Sequence, residues 1–395
     1  MSQNDEFSVL LFLRKEYDRK GKKMISVKEI KNRITERGSL DKLAWLYCCD
    51  ETAAEAQAQR YLHVLNGLEE TFGQHESAAF FSAPGRTEIG GNHTDHQHGC
   101  VVAGSVNIDM IAAAGPNSCG QIRLKSEGYE PCTVSLDNLD KKQAEEGTSV
   151  SILRGICKAF EDRGAVLSGL DLYVTSNVPG GSGISSSAAF ETLLGTVVNE
   201  LFMGENKVDS IEIAKIGQWV ENVYFGKPCG LMDQMASAVG GMVTIDFEDK
   251  ENPVIQPVAF DFASCGHALC IIDSRASHAD LTDEYAAITM ELKEICRHFG
   301  KEVLTQIEES EFLAAIPALR EACGDRAVLR ALHFYKENAR VPKQVAALEK
   351  NDFQTYLSLM KESGRSSWMY LQNVMPAGYK EHQYVALSLA LCEKL

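Results

Sequence analysis

No uninterrupted apolar stretch in the 395-residue chain approaches the roughly 18 residues that a membrane-crossing helix requires. The chain therefore reads as one that stays in water. Positive charge is also short: 39 Lys and Arg stand against 55 Asp and Glu, a net −16. A surface of that sign repels phosphate backbones and anionic lipid, so neither nucleic acid nor membrane is an expected partner. The twelve cysteines include no Cys-x-x-Cys pair, and a chain of this length needs no disulfide staples. Reduced thiols in a cytoplasm are the expectation. The start lacks a basic segment and a small-residue cleavage site, since Asp5 and Glu6 precede the apolar stretch from Phe7 to Leu13, so no secretory signal is read. Internal repeats and low-complexity segments are absent as well.

Three common nucleotide signatures are missing too. No Gly-Lys-Ser/Thr closes a Walker A loop, no Gly-x-Gly-x-x-Gly opens a dinucleotide fold, and no His-Arg-Asp or Asp-Phe-Gly marks a protein kinase. Any nucleotide site must be of another type.

What is present is a globular composition, 45% hydrophobic and 24% charged, long enough for about two or three domains. Residues 1–75 read as a helical N-terminal extension, with Leu43, Leu46, Tyr47, Tyr61, Leu62, Val64 and Leu65 at helical spacing. The basic run Arg19 to Lys23 just before Met24 suggests translation starting at Met24. From residue 76 to 250 short apolar strands alternate with helices: strands at 79–81, 100–103, 110–114, 121–125, 170–175 and 242–246, helices near 148–163, 185–203 and 210–225. This alternation predicts a mixed sheet covered by helices. Asp249 to Pro257 reads as a linker, and 258–395 as a second α+β domain opening with a strand at Ala268–Asp273.

Three stretches carry chemistry. The first, Val178-Pro179-Gly180-Gly181-Ser182-Gly183-Ile184-Ser185-Ser186-Ser187-Ala188-Ala189, follows a strand and opens a helix. Small residues let a backbone approach a ligand, and unpaired N–H groups with three hydroxyls suit a polyphosphate. A serine-capped turn reads equally from the same letters. The second, Ser82 to Gly99, packs Arg86, Asn92, His93, Thr94 and Asp95 into a glycine-rich turn. Such groups can both donate to and accept from neighbouring hydroxyls, as a sugar requires; His93, His96 and His98 also admit a transition metal. The third is a helix from Ile211 to Phe225, whose stripe Ile216, Trp219, Val220, Val223 and Tyr224 is expected to pack inward. It stops at Gly226-Lys227-Pro228 and leads to Cys229-Gly230-Leu231-Met232-Asp233-Gln234, where Asp233 is a helix cap or a general base. Glu221, at the edge of the stripe, reads from the letters alone as a solvated charge.

In order and spacing, the three stretches resemble the galactokinases, within the GHMP family of small-molecule kinases, over about residues 78–395. The resemblance implies an α+β chain of two domains, an N-terminal α/β domain of the ribosomal-protein-S5 type and a C-terminal ferredoxin-like α+β domain. It implies transfer of phosphate from MgATP to the anomeric hydroxyl of galactose. Carried over by position, Gly181, Ser182, Gly183, Ile184, Ser185, Ser186 and Ser187 would wrap the ATP phosphates, and Ser126 would touch the nucleotide. Ser187 and Glu221 would hold Mg²⁺, Asp233 would accept the proton from O1, and Arg86 would sit beside it. Asn92, His93, Thr94, Asp95, Gly230 and Tyr285 would hold the sugar.

Two departures shape the expectation. The family's glutamate opposite the 6-hydroxyl is here Asn92, a weaker acceptor, which implies looser preference at C6. The family's third glycine-rich motif is not met before Leu395, so the second domain is expected to be cut short by one or more strands. Alternatives left open are a kinase for a related sugar such as N-acetylgalactosamine and a non-catalytic galactose and ATP sensor.

Overall fold

The computed structural model describes residues 24–394 except 181–182, 228, 250–251, 261, 273, 275–281, 379 and 382. The chain divides into two compact units, one running through Arg86 and resuming at Ser105–Gly240, the other formed by Thr87–Gly104 and the residues from Gly241 onward.

The first unit opens with β1 (Ile25–Ser26), α1 (Val27–Arg33), α2 (Arg37–Tyr47) and α3 (Glu51–Phe72). Each start has a local cause. Ser26 accepts from the Glu29 amide at 3.1 Å in a Ser-x-x-Glu pattern, and Asp50 accepts from the Ala53 amide at 2.9 Å, so orphan N–H groups of the first turns are satisfied. Strands β2 (Ser77–Gly90), β3 (Cys100–Pro116), β4 (Gln121–Ser126) and β5 (Cys132–Ser135) precede α4 (Ser149–Glu161). Then come β6 (Leu170–Ser176), α5 (Ser186–Phe202), α6 (Ser210–Val220), a π-helical turn at Glu221–Phe225, and α7 (Met232–Val239). The strands order as β1-β2-β3-β6-β4-β5, with β4 and β6 parallel and β3 antiparallel to β6.

Successive side chains of a strand face opposite ways, and here both faces are buried. Phe81, Ala112 and Ala114 pack with Ile152, Phe160, Leu193, Val197 and Ile216 of α4, α5 and α6. Phe80, Ile111, Ala113 and Tyr173 pack instead with Ile30, Leu43, Tyr61, Leu65 and Leu68 of α1–α3. The N-terminal helices are thus one of the two layers that sandwich this sheet.

In the second unit, Cys100–Gly104 of β3 pairs antiparallel with β7 (Met242–Asp246), which pairs with β8 (Val254–Pro257). Helices α8 (Thr282–His298), α9 (Glu309–Cys323), α10 (Asp325–Glu349) and α11 (Phe353–Ser366) follow, then a second π-helical turn at Ser367–Leu371 and α12 (Tyr384–Cys392). Ile288, Leu292, Ile295, Phe312, Leu319 and Phe334 close a core among α8, α9 and α10.

Several expectations need correction. The stretches at 100–103 and 110–114 are one strand: the polar interruption at Asp109 is absorbed because its carboxylate accepts from Tyr47 Oη at 2.6 Å and from Arg60 and Ser82. Residues 254–257, read as linker, form β8 because their backbone completes the open edge of β7. Residues 268–272 are not a strand; Leu269, Ile271 and Ile272 are exposed, and position 273 lies outside the described residues. Trp219 and Val223 are exposed, since the buried face of α6 runs through Ile213, Ile216, Gly217 and Val220 to Tyr224. Among the described residues no helix is long and apolar enough to cross a membrane, and all twelve cysteines are free thiols.

Candidate active site

In the first unit, strand β6 delivers the chain to the glycine- and serine-rich loop, and α5 carries it away. Gly181 and Ser182 lie outside the described residues. Gly183 takes φ +77° and Ser185 takes φ +57°. The left-handed region is open to glycine at no steric cost, whereas a serine held there is uncommon. Ser186 and Ser187 form the first turn of α5, where N–H groups are free to face an anion.

Arg86 leaves β2 against this loop. Its backbone N–H donates to Ile184 O at 3.1 Å, and its Nη1 donates to Gly183 O at 2.6 Å. A side chain at Gly85 would collide with the same segment, with a Cβ 2.9 Å from Ile184 O, so glycine is required by close approach. Arg86 Nε donates to Asp233 Oδ1 at 2.7 Å, and Ser185 Oγ donates to Asp233 Oδ2. Asp233 sits in the first turn of α7, where the helix dipole favours an anion, and its side chain stays 34% exposed, open to a substrate. Arginine, aspartate and loop are therefore one hydrogen-bonded unit.

Glu221 is buried rather than solvated. It accepts from Gln234 Nε2 at 3.0 Å on one oxygen and from Lys227 Nζ at 3.3 Å on the other. The same amide nitrogen donates to Glu191 Oε2 at 2.9 Å. Burial, then the nearby Glu221 charge, pushes the Glu191 carboxyl well above the usual carboxylate range. Sequence reading missed Glu191 and Gln234. The signal was there for Glu191, an acid within the run Ala188-Ala189-Phe190 and Leu193-Leu194, where an amphipathic helix has no polar face to offer it. Ser126 ends β4, beside Val174 in the parallel pair with β6, and is half-buried; Gly230 is also half-buried, two residues before Met232.

In the second unit, the turn from Gly91 to Gly99 gathers the predicted sugar ligands. His93 and His98 take φ +59° and +58°, and Gly91 takes +95°. His93 and His96 stack with ring centroids 5.9 Å apart, and the Tyr285 ring of α8 lies 5.4 Å from His93 with its hydroxyl 3.2 Å from His96 Nε2. Burial pushes the His93 imidazole down to about 3, with His96, His333 and Arg330 adding to the effect, so His93 is neutral at pH 7. A neutral ring both donates and accepts, which suits hydroxyls. Asp95 is half-buried, 3.9 Å from His96 Nε2. Asn92 donates through Nδ2 to Ser367 Oγ at 2.7 Å, leaving Oδ1 as its acceptor. Thr94 is fully buried, with Oγ1 donating to Gly91 O at 2.8 Å and to Cys100 O at 2.6 Å, so its side chain shapes the turn. Among the described residues no cluster of three or more His, Cys, Asp or Glu is arranged to hold a metal.

Two family models match the sequence: the GHMP kinases N terminal domain over residues 151–241 and the galactokinase galactose-binding signature over residues 67–116. A galactokinase of Glaesserella parasuis is 32% identical over 297 residues, which is 75% of this chain and 75% of that protein. The chain belongs to the galactokinase family. A second galactokinase, from Streptomyces coelicolor, is 30% identical over 297 residues, 74% of each chain. The chain is accordingly a kinase, and ATP use comes with the family. The crystal structure of Lactococcus lactis galactokinase complexed with galactose shares the fold, with a TM-score of 0.65 at 23% identity over 80% of this chain and 81% of that one. The galactokinase signature takes in Arg86 and the turn from Asn92 to Asp95, and the GHMP match takes in the serine loop, Glu221, Gly230 and Asp233. Ser126 and Tyr285 fall outside both matches.

Proposed function

We propose that the chain phosphorylates galactose at its anomeric hydroxyl, using MgATP and giving galactose 1-phosphate and ADP. The observation that carries the reading is the Arg86–Asp233–Ser185 unit, which ties a carboxylate to the loop that opens α5. The loop from Gly181 to Ser187 takes the phosphates, with N–H groups at the start of α5 and the Arg86 guanidinium facing their charge. Ser126 touches the nucleotide. Asp233 accepts the proton of O1 as the O1–P bond forms and the bond from the γ-phosphorus to ADP breaks. Each Asp233 oxygen keeps a lone pair beyond the bonds to Arg86 and Ser185, so an incoming hydroxyl can be received without dismantling the unit. A carboxylate is a weak base at neutral pH, so its contribution is chiefly to align O1, and proton transfer comes late.

Mg²⁺ fits the donor set. Glu221 and Ser187 offer hard oxygens, and this ion is commonly held by one or two carboxylates together with substrate phosphates. Glu191 Oε1 and Gln234 Oε1 beside Glu221 are buried without a hydrogen-bond partner, which marks the place as short of positive charge. When bound there, the ion would neutralise phosphate oxygens. Asn92, His93, Asp95, Gly230 and Tyr285 complete the reading as sugar contacts, the neutral His93 serving a hydroxyl rather than an anion.

A panel of sugars with MgATP, scored by ADP release, tests the proposal. Galactose is expected to give the highest kcat/KM, and Asp233→Ala to abolish turnover by at least about a hundredfold. ADP release from no sugar, or undiminished release from the variant, overturns it.

A further inference from the structure

The turn from Gly91 to Gly99 holds three left-handed residues, two of them histidines, a conformation that L side chains rarely adopt. Such a backbone persists only when its surroundings dictate it. In this unit they do: Thr94 bonds across the turn, Leu304 and Thr305 donate to Gln97, and one helix supplies the groups that reach the Gly91–Asn92 end. Glu337 of α10 is fully buried; its Oε1 accepts from the Gly91 N–H at 3.1 Å and from Ser363 Oγ at 2.6 Å, while its other oxygen takes Arg340. His333, one turn earlier, places Nε2 2.9 Å from Asn92 O and Nδ1 2.9 Å from Ser366 Oγ. A carbonyl only accepts, so Nε2 carries the proton and the Ser366 hydroxyl donates to Nδ1. Asn338 accepts the Cys100 N–H at 2.7 Å, just past the far end of the turn. Ser363, Ser366 and Ser367 form a second row, on α11 and the π turn after it, and bond to Glu337, His333 and the Asn92 side chain respectively.

We propose that Glu337 and His333 are positioning residues for sugar binding: by fixing the Gly91 N–H and the Asn92 carbonyl they set the directions in which Asn92, His93 and Asp95 present their polar atoms. The inference rests on the kinase reading above. Neither residue touches the sugar. A hydrogen bond to a buried charge is stronger than a neutral one, so Glu337 carries the larger share.

The test compares Glu337→Gln, His333→Ala and His333→Gln in the full chain, reading KM for galactose, KM for ATP, kcat and amide hydrogen exchange. The glutamine at 337 keeps the shape but sets an NH₂ against Arg340 or Gly91, and the glutamine at 333 keeps a donor for the Asn92 carbonyl. Expected are a rise of about tenfold in KM for galactose for Glu337→Gln and somewhat less for His333→Ala, with KM for ATP moving by less than about twofold. His333→Gln is expected to recover most of the loss, and Gly91 and Cys100 amides to exchange faster in Glu337→Gln. A role in stability alone would lower the melting temperature and the active fraction yet leave KM for galactose in the surviving enzyme unchanged. An active parent whose folded variants keep the parental KM for galactose overturns the inference alone. A parent that releases ADP from no sugar overturns the kinase reading, and this inference with it.

Discussion

The two candidate regions are held together in different ways. Around Asp233 the first unit concentrates charge: Arg86 bonds to Asp233, while Lys227 bonds to Glu221 and Gln234 joins Glu221 to Glu191, and side chains do most of the holding. Around His93 the second unit gathers three rings, an amide and the Asp95 carboxylate, and the holding groups, the Glu337 carboxylate among them, act on the backbone. The difference matches the two jobs proposed for them. Phosphoryl transfer needs fixed charge where charge develops, whereas gripping a sugar needs donors and acceptors at set angles. Damage in the first region should therefore appear in kcat, and damage in the second in KM for the sugar.

The largest expected effect breaks the first region. Asp233→Ala removes the carboxylate that aligns O1 and receives its proton, and should lower kcat by about a thousandfold while KM for galactose stays within about threefold. Arg86→Ala should lower kcat by about a hundredfold, again with modest change in sugar affinity. Steady-state kinetics with both substrates varied checks the split; a pure KM effect in either variant would erase the contrast.

Acid and base sharpen the comparison, because the buried titratable groups of the two regions pull in opposite directions. His93 sits at about 3 against an ordinary 6.5, so its neutral burial contributes stability that is complete above about pH 6.5 and is lost as the pH falls toward 3. Glu191 is raised above its ordinary 4.5, so the protonated acid contributes stability at low pH that is lost as the pH rises through that raised value. Urea unfolding from pH 5 to 8 should show the parent losing roughly 1.4 kcal/mol per pH unit from His93 on the acid side. His93→Gln should flatten the acid limb alone, and Glu191→Gln the alkaline limb alone. Identical profiles for parent and variants would remove the assignment.

The smallest effect lies away from both regions. Tyr47→Phe deletes the hydroxyl that donates to Asp109 at 2.6 Å and should destabilise by about 1–2 kcal/mol, leaving both KM values and kcat unchanged. Thermal unfolding beside kinetics checks this.

How much of this was legible follows from the same physics. The serine loop and α5 were readable because glycine and serine after a strand and before an apolar helix leave few alternatives. Asp233 stood out as an acid among apolar neighbours. Glu221 did not, since the helical stripe alone places it at an edge; its burial depends on α7 returning Gln234 against it, a contact that no local spacing announces. The N-terminal helices showed no chemistry, and none is assigned to them, yet they bury the face of β2, β3 and β6 that carries Phe80, Ile111, Ala113 and Tyr173. At residues 268–272 the apolar letters misled: Leu269, Ile271 and Ile272 are exposed and pair with no strand among the described residues, and nothing in the short run itself says whether a sheet edge will receive it. The brace of His333 and Glu337 was invisible because it joins residues 241 and 246 positions apart.

Everything turns on which hydroxyl receives the phosphoryl group. Proton-coupled phosphorus NMR of the product formed from galactose and MgATP is predicted to show a single sugar phosphate ester coupled to the anomeric proton. An ester at another carbon, or inorganic phosphate with no sugar ester, would contradict it.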